Sequence, residues 1–277
     1  MRIKINNKRV YLYTGTKELI SDQDSIVFVH GAGLDHTVWL LQSRYFAHHG
    51  WNAIAVDLPG HGHSEGPALR NIETMADWLV GLLDVLDLHR VTIVGHSMGS
   101  LVALQAGATA PKRIARLGLL GTSAPMPVSD ALLSAAKANQ HDAFDMINLW
   151  GHSRGAHIGG NPVPGMWMPG NTLRLLERSR PGVLYHDLNA CHVYQNGLIS
   201  AREVRCPVLV VCAKQDRMTP IANTEELITQ FKDVHTITID HCGHQMLSEQ
   251  PDRVLDTLSE FILERGQTER LTSSRSN

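Results

Sequence analysis

Residues 91–100 read VTIVGHSMGS, and this stretch decides how the rest of the chain is interpreted. Its first four residues are all β-branched, which predicts a strand buried on both faces. A Gly-x-Ser-x-Gly motif follows, and an alanine-rich segment after it predicts a helix over residues 100–109. A serine on a tight turn from strand to helix exposes its hydroxyl, and the flanking positions must be small because backbone crowds them. Ser97, between Gly95 and Gly99, is therefore a candidate nucleophile.

Short apolar runs recur on both sides of this motif and predict further strands, at residues 26–29, 53–56, 117–120, 208–212 and 236–239. Helical periodicity falls between them, at residues 74–86, 223–231 and 253–264. The alternation of strand and helix predicts a doubly wound α/β domain. At the amino terminus, alternating residues around Asn6-Asn7 predict a β-hairpin.

Residues 123–202 break the alternation, since they contain no β-branched run of strand length. They offer short helical segments at 129–139, 142–149, 171–178 and 183–194, and a loop rich in glycine and proline at 159–170. We expect a helical cap here, inserted between two strands of a core domain formed by residues 1–122 and 203–265. The polar residues 266–277 are expected to be a flexible tail.

A serine needs a base to act as a nucleophile at neutral pH. Among 16 histidines, His244 is the best candidate, because it follows the last predicted strand and precedes the last helix. Such a loop lies at the carboxyl edge of the sheet, where open α/β folds keep their sites. His241, three residues earlier, is the alternative and ranks below His244.

The base in turn needs a carboxylate to fix its tautomer and stabilise the imidazolium. Asp216 follows the predicted strand 208–212 and precedes His244, which gives the chain order serine, aspartate, histidine. Asp233 and Asp240 are alternatives by distance along the chain, but neither stands between a strand and a turn-rich helix start.

An oxyanion hole is predicted from residues 27–33, where a strand ends in the small residues Gly31, Ala32 and Gly33. Backbone N–H groups in such a loop approach a substrate oxygen closely. We expect the Ala32 and Met98 N–H groups to be the donors, with Gly31 or Gly33 as the neighbouring alternatives to Ala32. His30 is expected to orient this loop through a hydrogen bond.

Composition excludes several classes of protein. The chain has 277 residues, 43% of them hydrophobic, and a formal net charge of −2. A near-neutral chain has no dominant surface for nucleic acid, and no apolar run reaches the length of a membrane span. The four scattered cysteines and an amino terminus that lacks a continuous apolar stretch predict reduced thiols and a cytoplasmic location.

No metal or cofactor is expected. The pairs His61-x-His63 and His48-His49 lack companion ligands at the spacing of a zinc site. Candidate residues of the substrate pocket are Gly31, Gly33, Met126, Trp150, Trp167, Met168 and Met218.

The chain resembles an α/β-hydrolase over nearly its whole length. The resemblance rests on motifs in the family's order, namely His30-Gly31, residues 57–64 (DLPGHGHS), residues 95–99 (GHSMG), Asp216 and Gly243-His244. It implies an eight-stranded, mostly parallel sheet with a helical cap after strand six. The chain is most similar to small serine esterases, haloperoxidase-like enzymes and carbon–carbon hydrolases. Related dehalogenases and epoxide hydrolases have an aspartate where this chain has Ser97, which argues against those two reactions.

The function expected from these residues is hydrolysis of a small carboxylic ester through an acyl-enzyme. Carbon–carbon bond hydrolysis, amide hydrolysis and perhydrolysis are alternatives on the same three side chains. A ligand-sensing protein built on a hydrolase scaffold is an alternative of another class, which complete catalytic machinery disfavours.

Overall fold

The computed structural model describes residues 1–160, 165 and 167–264. The predicted tail, residues 266–277, and part of the predicted loop 159–170 lie outside the described residues.

The strands form one eight-stranded sheet in the order β1-β2-β4-β3-β5-β6-β7-β8. The first two strands pair antiparallel with each other, β2 pairs antiparallel with β4, and the other pairs are parallel. The fold predicted from the sequence, a mostly parallel α/β-hydrolase sheet, is therefore confirmed. The strands are β1 Arg2–Ile5, β2 Lys8–Tyr13, β3 Ser25–Val29, β4 Asn52–Val56, β5 Val91–His96, β6 Ile114–Leu120, β7 Val208–Ala213 and β8 Val234–Ile239.

Helices connect the strands and cover both faces of the sheet. In the described residues they are α1 Leu40–His48, α2 Ile72–Val85, α3 Met98–Thr109, α4 Asp130–Lys137, α5 Asp142–Gly151, α6 Arg154–His157, α7 Met168–Arg178, α8 Val183–Val193, α9 Gly197–Glu203, α10 Glu225–Ile228, α11 Met246–Glu249 and α12 Pro251–Ser259. One apolar cluster lies between the sheet and α2 and α3. A second lies between the opposite face and α1 and α12. Because the central strands are covered on both sides, every residue of β3, β4, β5 and β7 is buried.

Helices α4–α9 lie between β6 and β7. Residues 123–202, which we call the inserted segment, contain these helices except for the last residue of α9, Glu203. Its apolar side chains form a third cluster, which includes Leu132, Ile147, Leu176 and Leu188 and also takes in Leu34 from the loop after β3. The inserted segment therefore packs on a core loop as well as on itself.

Several helices differ from the prediction. The predicted helix 223–231 is reduced to the four residues of α10, and the sequence did not predict α1, α6, α9 or α11, of which α6 and α11 also have four residues. A helix of four residues contains barely one turn, so a 3.6-residue period is not recognisable in it. No helix within residues 1–160 or 167–264 combines the length and the apolar character needed to cross a lipid bilayer.

Candidate active site

Parallel pairing brings distant loops to one edge of the sheet. β3, β5, β7 and β8 run in the same direction, so the loops that follow them emerge together. These loops carry Gly31–Gly33, Ser97, Asp216 and His244 respectively. Residues that are far apart in the chain become neighbours for this reason.

Ser97 stands on the turn between β5 and α3 with φ 54° and ψ −121°. A non-glycine residue at positive φ is strained, and such positions cluster at functional sites. The flanking glycines are sterically required. A Cβ at Gly95 would overlap the Gly99 carbonyl, and one at Gly99 would overlap the Val29 carbonyl. The backbone N–H of Ser97 donates to the Leu120 carbonyl at 2.9 Å, which holds the turn in place.

Asp216 and His244 form a buried hydrogen-bonded pair, with His244 Nδ1 2.7 Å from Asp216 Oδ2. The carboxylate only accepts, so Nδ1 is the donor of this hydrogen bond. Thr219 also donates to Asp216, through its hydroxyl at 2.7 Å and its backbone N–H at 2.7 Å. The Met218 N–H adds a further donor at 2.8 Å.

This environment keeps Asp216 ionised. Burial by itself would raise the pKa of the carboxyl group, but the charge and hydrogen bond of His244 and the donors of Thr219 outweigh it, so the pKa lies well below its usual range. Ser97 and His244 line one cavity. Among the hydrogen bonds of the described residues, none joins the Ser97 hydroxyl to the His244 ring.

Sequence reasoning assigned no role to His96, the residue before Ser97. Its Nε2 donates to the His244 carbonyl at 2.8 Å, and the two rings lie 4.8 Å apart. Burial, and then the proximity of His244, lower the pKa of His96 to about 3, so the ring is neutral. His96 therefore holds the backbone of the loop that carries His244.

The structure of the loop after β3 shows which of the predicted oxyanion donors already has a hydrogen-bond acceptor. The Gly33 N–H donates to Asp187 Oδ2 at 2.8 Å, so it is already engaged. The Ala32 N–H has no acceptor among the described residues, and Ala32 lines the cavity beside Ser97. Met98 is the first residue of α3, where the backbone N–H has no partner within the helix. His30 contacts the same loop, since its Nδ1 donates to the Gly31 carbonyl at 2.9 Å.

The cavity has a volume of about 230 Å³. Four of the predicted pocket residues lie along its wall, namely Gly31, Met126, Trp150 and Met218. Sequence reasoning missed most of the apolar wall because it comes from turns and helices of the inserted segment. These residues include Val128, Leu132, Ile147, Leu188 and Cys191.

All four cysteines of the chain are free and buried.

Three of the predicted pocket residues, Gly33, Trp167 and Met168, do not line this cavity. Gly33 has φ +68°, and Leu184 and Leu176 fill the space beside its Cα. Trp167 is 71% exposed, because its ring lies against Gly170 at the start of α7 instead of turning inward. Met168 is buried, but it lines a different cavity with Ile158 and Gly160.

One group of side chains in the described residues has the spacing of a cation site, formed by Asp35, His36 and Asp57. Asp57 already accepts hydrogen bonds from the backbone N–H and ring of His36 and from the His63 N–H, each at 2.8 Å. Asp35 accepts from Arg178 at 2.7 Å. Because these oxygens face N–H donors, the group is built as a hydrogen-bond network that holds the loops together.

The fold, the strained serine turn and the aspartate–histidine pair define a hydrolase scaffold. The model of the alpha/beta hydrolase family matches residues 26–257, and the chain belongs to this family.

The chain is similar to several named hydrolases. It is 25% identical over 246 residues to the (E)-2-((N-methylformamido)methylene)succinate hydrolase of Acinetobacter baylyi, covering 86% of this chain and 90% of that protein. It is also 25% identical to the 2-hydroxymuconate semialdehyde hydrolase of a Pseudomonas species, covering 86% and 87%. Among solved structures, the enol-lactonase from Burkholderia xenovorans superposes with a TM-score of 0.83 at 20% identity, covering 95% of this chain and all of the other. Each of these likenesses covers more than four fifths of both chains.

Proposed function

We propose that this protein is a serine hydrolase that cleaves small carboxylic esters through an acyl-enzyme on Ser97. The single observation that carries the proposal is the buried Asp216–His244 pair, 2.7 Å apart, whose histidine lines the cavity that Ser97 also lines. The carboxylate fixes the imidazole as the tautomer that has a free lone pair on Nε2, which is the state a general base requires.

In the proposed reaction, His244 Nε2 accepts the Ser97 proton as the serine oxygen attacks the ester carbonyl. A hydrogen bond from the Ser97 hydroxyl to His244 Nε2 forms when substrate fills the cavity, because catalytic hydrogen bonds often become well aligned only with substrate bound. The Ala32 and Met98 N–H groups stabilise the negative oxygen of the tetrahedral intermediate. His244 then gives the proton to the departing alkoxide.

A water molecule next attacks the acyl-enzyme, with His244 again taking a proton, and the carboxylic acid and free Ser97 are released. Asp216 stays ionised throughout because its surroundings hold its pKa low. The inserted segment supplies the apolar wall of the cavity and acts as a cap that selects the substrate. A small cavity that is mainly apolar fits a short acyl chain.

The likeness to 2-hydroxymuconate semialdehyde hydrolase favours a second candidate, cleavage of a carbon–carbon bond in a vinylogous diketone by the same three side chains. The two reactions differ in the leaving group. Parallel turnover of p-nitrophenyl butyrate and a vinylogous diketone separates them, because the better substrate has the higher kcat/KM.

The test of the proposal is loss of hydrolysis in Ser97→Ala and His244→Ala. Each variant is expected to lower kcat for p-nitrophenyl butyrate by at least about 1,000-fold, because the members of a triad act as a unit. Circular dichroism checks that both variants remain folded.

Two matched variants control this test. Ser134→Ala changes an exposed serine on α4, and His241→Asn changes the alternative histidine, which is exposed at φ 52° where asparagine is tolerated. Both are expected to keep full activity. Full activity of folded Ser97→Ala would overturn the proposal, and tight ligand binding without turnover would favour a sensing role instead.

A further inference from the structure

Asp187, on α8 of the inserted segment, is a fully buried carboxylate that the mechanism does not use. A single oxygen, Oδ2, accepts two hydrogen bonds, one from His61 Nε2 at 2.7 Å and one from the Gly33 N–H at 2.8 Å. The other oxygen is buried and has no hydrogen-bond partner among the described residues. A buried charge is costly unless it is paired, so this carboxylate depends on the two contacts of Oδ2.

The contacts of the partner His61 favour its imidazolium form. Its Nδ1 lies 3.1 Å from the Pro59 carbonyl oxygen and its Nε2 lies 2.7 Å from Asp187. Both oxygens only accept, so both ring nitrogens carry protons. Burial alone lowers the pKa of His61, but the charge and hydrogen bond of Asp187 outweigh it and raise the pKa.

The neighbouring His30 is neutral, and it therefore does not compete for Asp187. Its Nδ1 donates to the Gly31 carbonyl, and its Nε2 accepts from the Leu58 N–H at 3.2 Å. Burial, followed by the charge of His61, lowers the pKa of His30 to about 4. The ring centroids of His30 and His61 are 4.7 Å apart, and the two rings are tilted by 50° to each other.

Asp187 therefore joins three segments that the sequence keeps far apart. It lies 154 residues from Gly33 and 126 residues from His61. Gly33 directly follows Ala32, whose N–H is a proposed oxyanion donor. A shift of Gly33 moves the peptide unit of Ala32, and catalysis by such a donor depends on its placement to within a fraction of an ångström.

We propose that Asp187 is a positioning residue for the oxyanion hole: from the inserted segment it holds the Gly33 N–H, and through it the Ala32 N–H, with His61 as its counter-ion. The proposal rests on the proposed serine hydrolase function. It assigns the inserted segment a role in transition-state stabilisation in addition to its place in the cavity wall.

The experiment compares Asp187→Leu and Asp187→Ser with Asp187→Asn. Leucine removes both hydrogen bonds, and the shorter serine is a second variant that retains polarity and does not reach Gly33. Each is expected to lower kcat/KM for p-nitrophenyl butyrate by about 10- to 100-fold, with KM within about threefold of the unaltered protein. Asparagine keeps an acceptor for the Gly33 N–H and is expected to retain at least about threefold more activity than leucine or serine.

The readout that separates positioning from mere stability is inhibition by a trifluoromethyl ketone, whose adduct with Ser97 has an oxyanion. Its inhibition constant is expected to weaken by the same factor as kcat/KM in Asp187→Leu and Asp187→Ser. A residue with only a structural role would lower the melting temperature and leave this constant unchanged in the folded fraction.

The control is Glu177→Leu. Glu177 is a carboxylate of the same inserted segment whose ion pairs, with Arg174 and His141, stay within that segment. It is expected to leave kcat/KM and inhibition unchanged. Ser97→Ala is assayed in parallel: if it is inactive while folded Asp187→Leu and Asp187→Ser match the unaltered protein, only the role of Asp187 is overturned. If Ser97→Ala is fully active, the proposed function is overturned and the role of Asp187 falls with it.

Discussion

The hydroxyl group of Thr219 bears directly on the strength of the Asp216–His244 pair. It donates to Asp216 Oδ2 at 2.7 Å, the same oxygen that accepts from His244. Thr219→Val removes this donor and keeps the branched shape. Losing one hydrogen bond to a charged group is worth about 1.4 kcal/mol, so kcat for p-nitrophenyl butyrate is expected to fall about tenfold with little change in KM. Thr219→Ser keeps the hydroxyl and serves as the control. A kcat for Thr219→Val within twofold of the unaltered protein would show that the hydroxyl has no part in catalysis.

At the scale of single residues, the sequence predicted those side chains whose role follows from their place after a strand. Ser97 and Asp216 each follow a buried strand, His244 follows the edge strand β8, and parallel pairing brings the three loops to one edge of the sheet. Asp187 lacked any such signal, because α8 is one amphipathic segment among several and its contact with His61 spans 126 residues. Thr219 could have been found from the Asp-x-x-Thr spacing. An aspartate side chain commonly accepts a hydrogen bond from an N–H or hydroxyl group two or three residues later in the chain.

At the scale of elements, the short helix α11 connects the loop of His244 to the inserted segment. Glu249 on α11 accepts from the Gly243 N–H and the Ser153 N–H, each at 3.0 Å. Burial raises the pKa of Glu249 despite these donors. The folded state therefore disfavours the ionised carboxylate of Glu249. This group contributes to the free energy of unfolding below its ordinary pKa, and the contribution is lost as the pH rises through the raised pKa of the folded protein.

Glu249→Gln is expected to remove this pH-dependent loss. We therefore expect the difference in free energy of unfolding, variant minus unaltered protein, to be larger at pH 8 than at pH 4. Urea titrations at the two pH values measure it. Glu225→Gln, at an exposed position on α10, should show the same difference at both pH values. If the difference for Glu249→Gln is also independent of pH, burial of this carboxyl group does not affect stability in the way proposed.

Strands were predicted more accurately than helices, for a physical reason. A central parallel strand is buried on both faces and is therefore marked by a continuous apolar run, as in β5 and β7. Helices of the inserted segment bury only one stripe, and their directions depend on contacts with the core. The exposed Trp167 is an example: its apolar character suggested a pocket, but its ring lies on the surface against Gly170.

At the scale of the whole molecule, buried neutral histidines link stability to pH. Burial is the main cause that lowers the pKa of His30 to about 4, of His96 to about 3 and of His152 to about 4. These rings remain neutral in the folded protein, whereas in the unfolded chain they take up protons near their ordinary pKa. Between pH 6.5 and about pH 4 the unfolded chain therefore binds more protons, and the free energy of unfolding falls as pH falls. His61 acts in the opposite sense, since its raised pKa gives stability below pH 6.5 that is lost as pH rises.

The expected slope is about 1.4 kcal/mol per pH unit for each histidine, or about 4 kcal/mol per pH unit at most for the three together. Urea titrations followed by tryptophan fluorescence from pH 4.5 to pH 8 measure it. His152→Gln removes one of the three groups, so it should reduce the slope below pH 6.5 by about one third. His89→Gln, which replaces an exposed histidine, should leave the slope unchanged. A free energy of unfolding that stays constant from pH 6.5 to pH 4.5 would contradict this prediction, because it would mean that these rings take up protons in the folded protein as readily as in the unfolded chain.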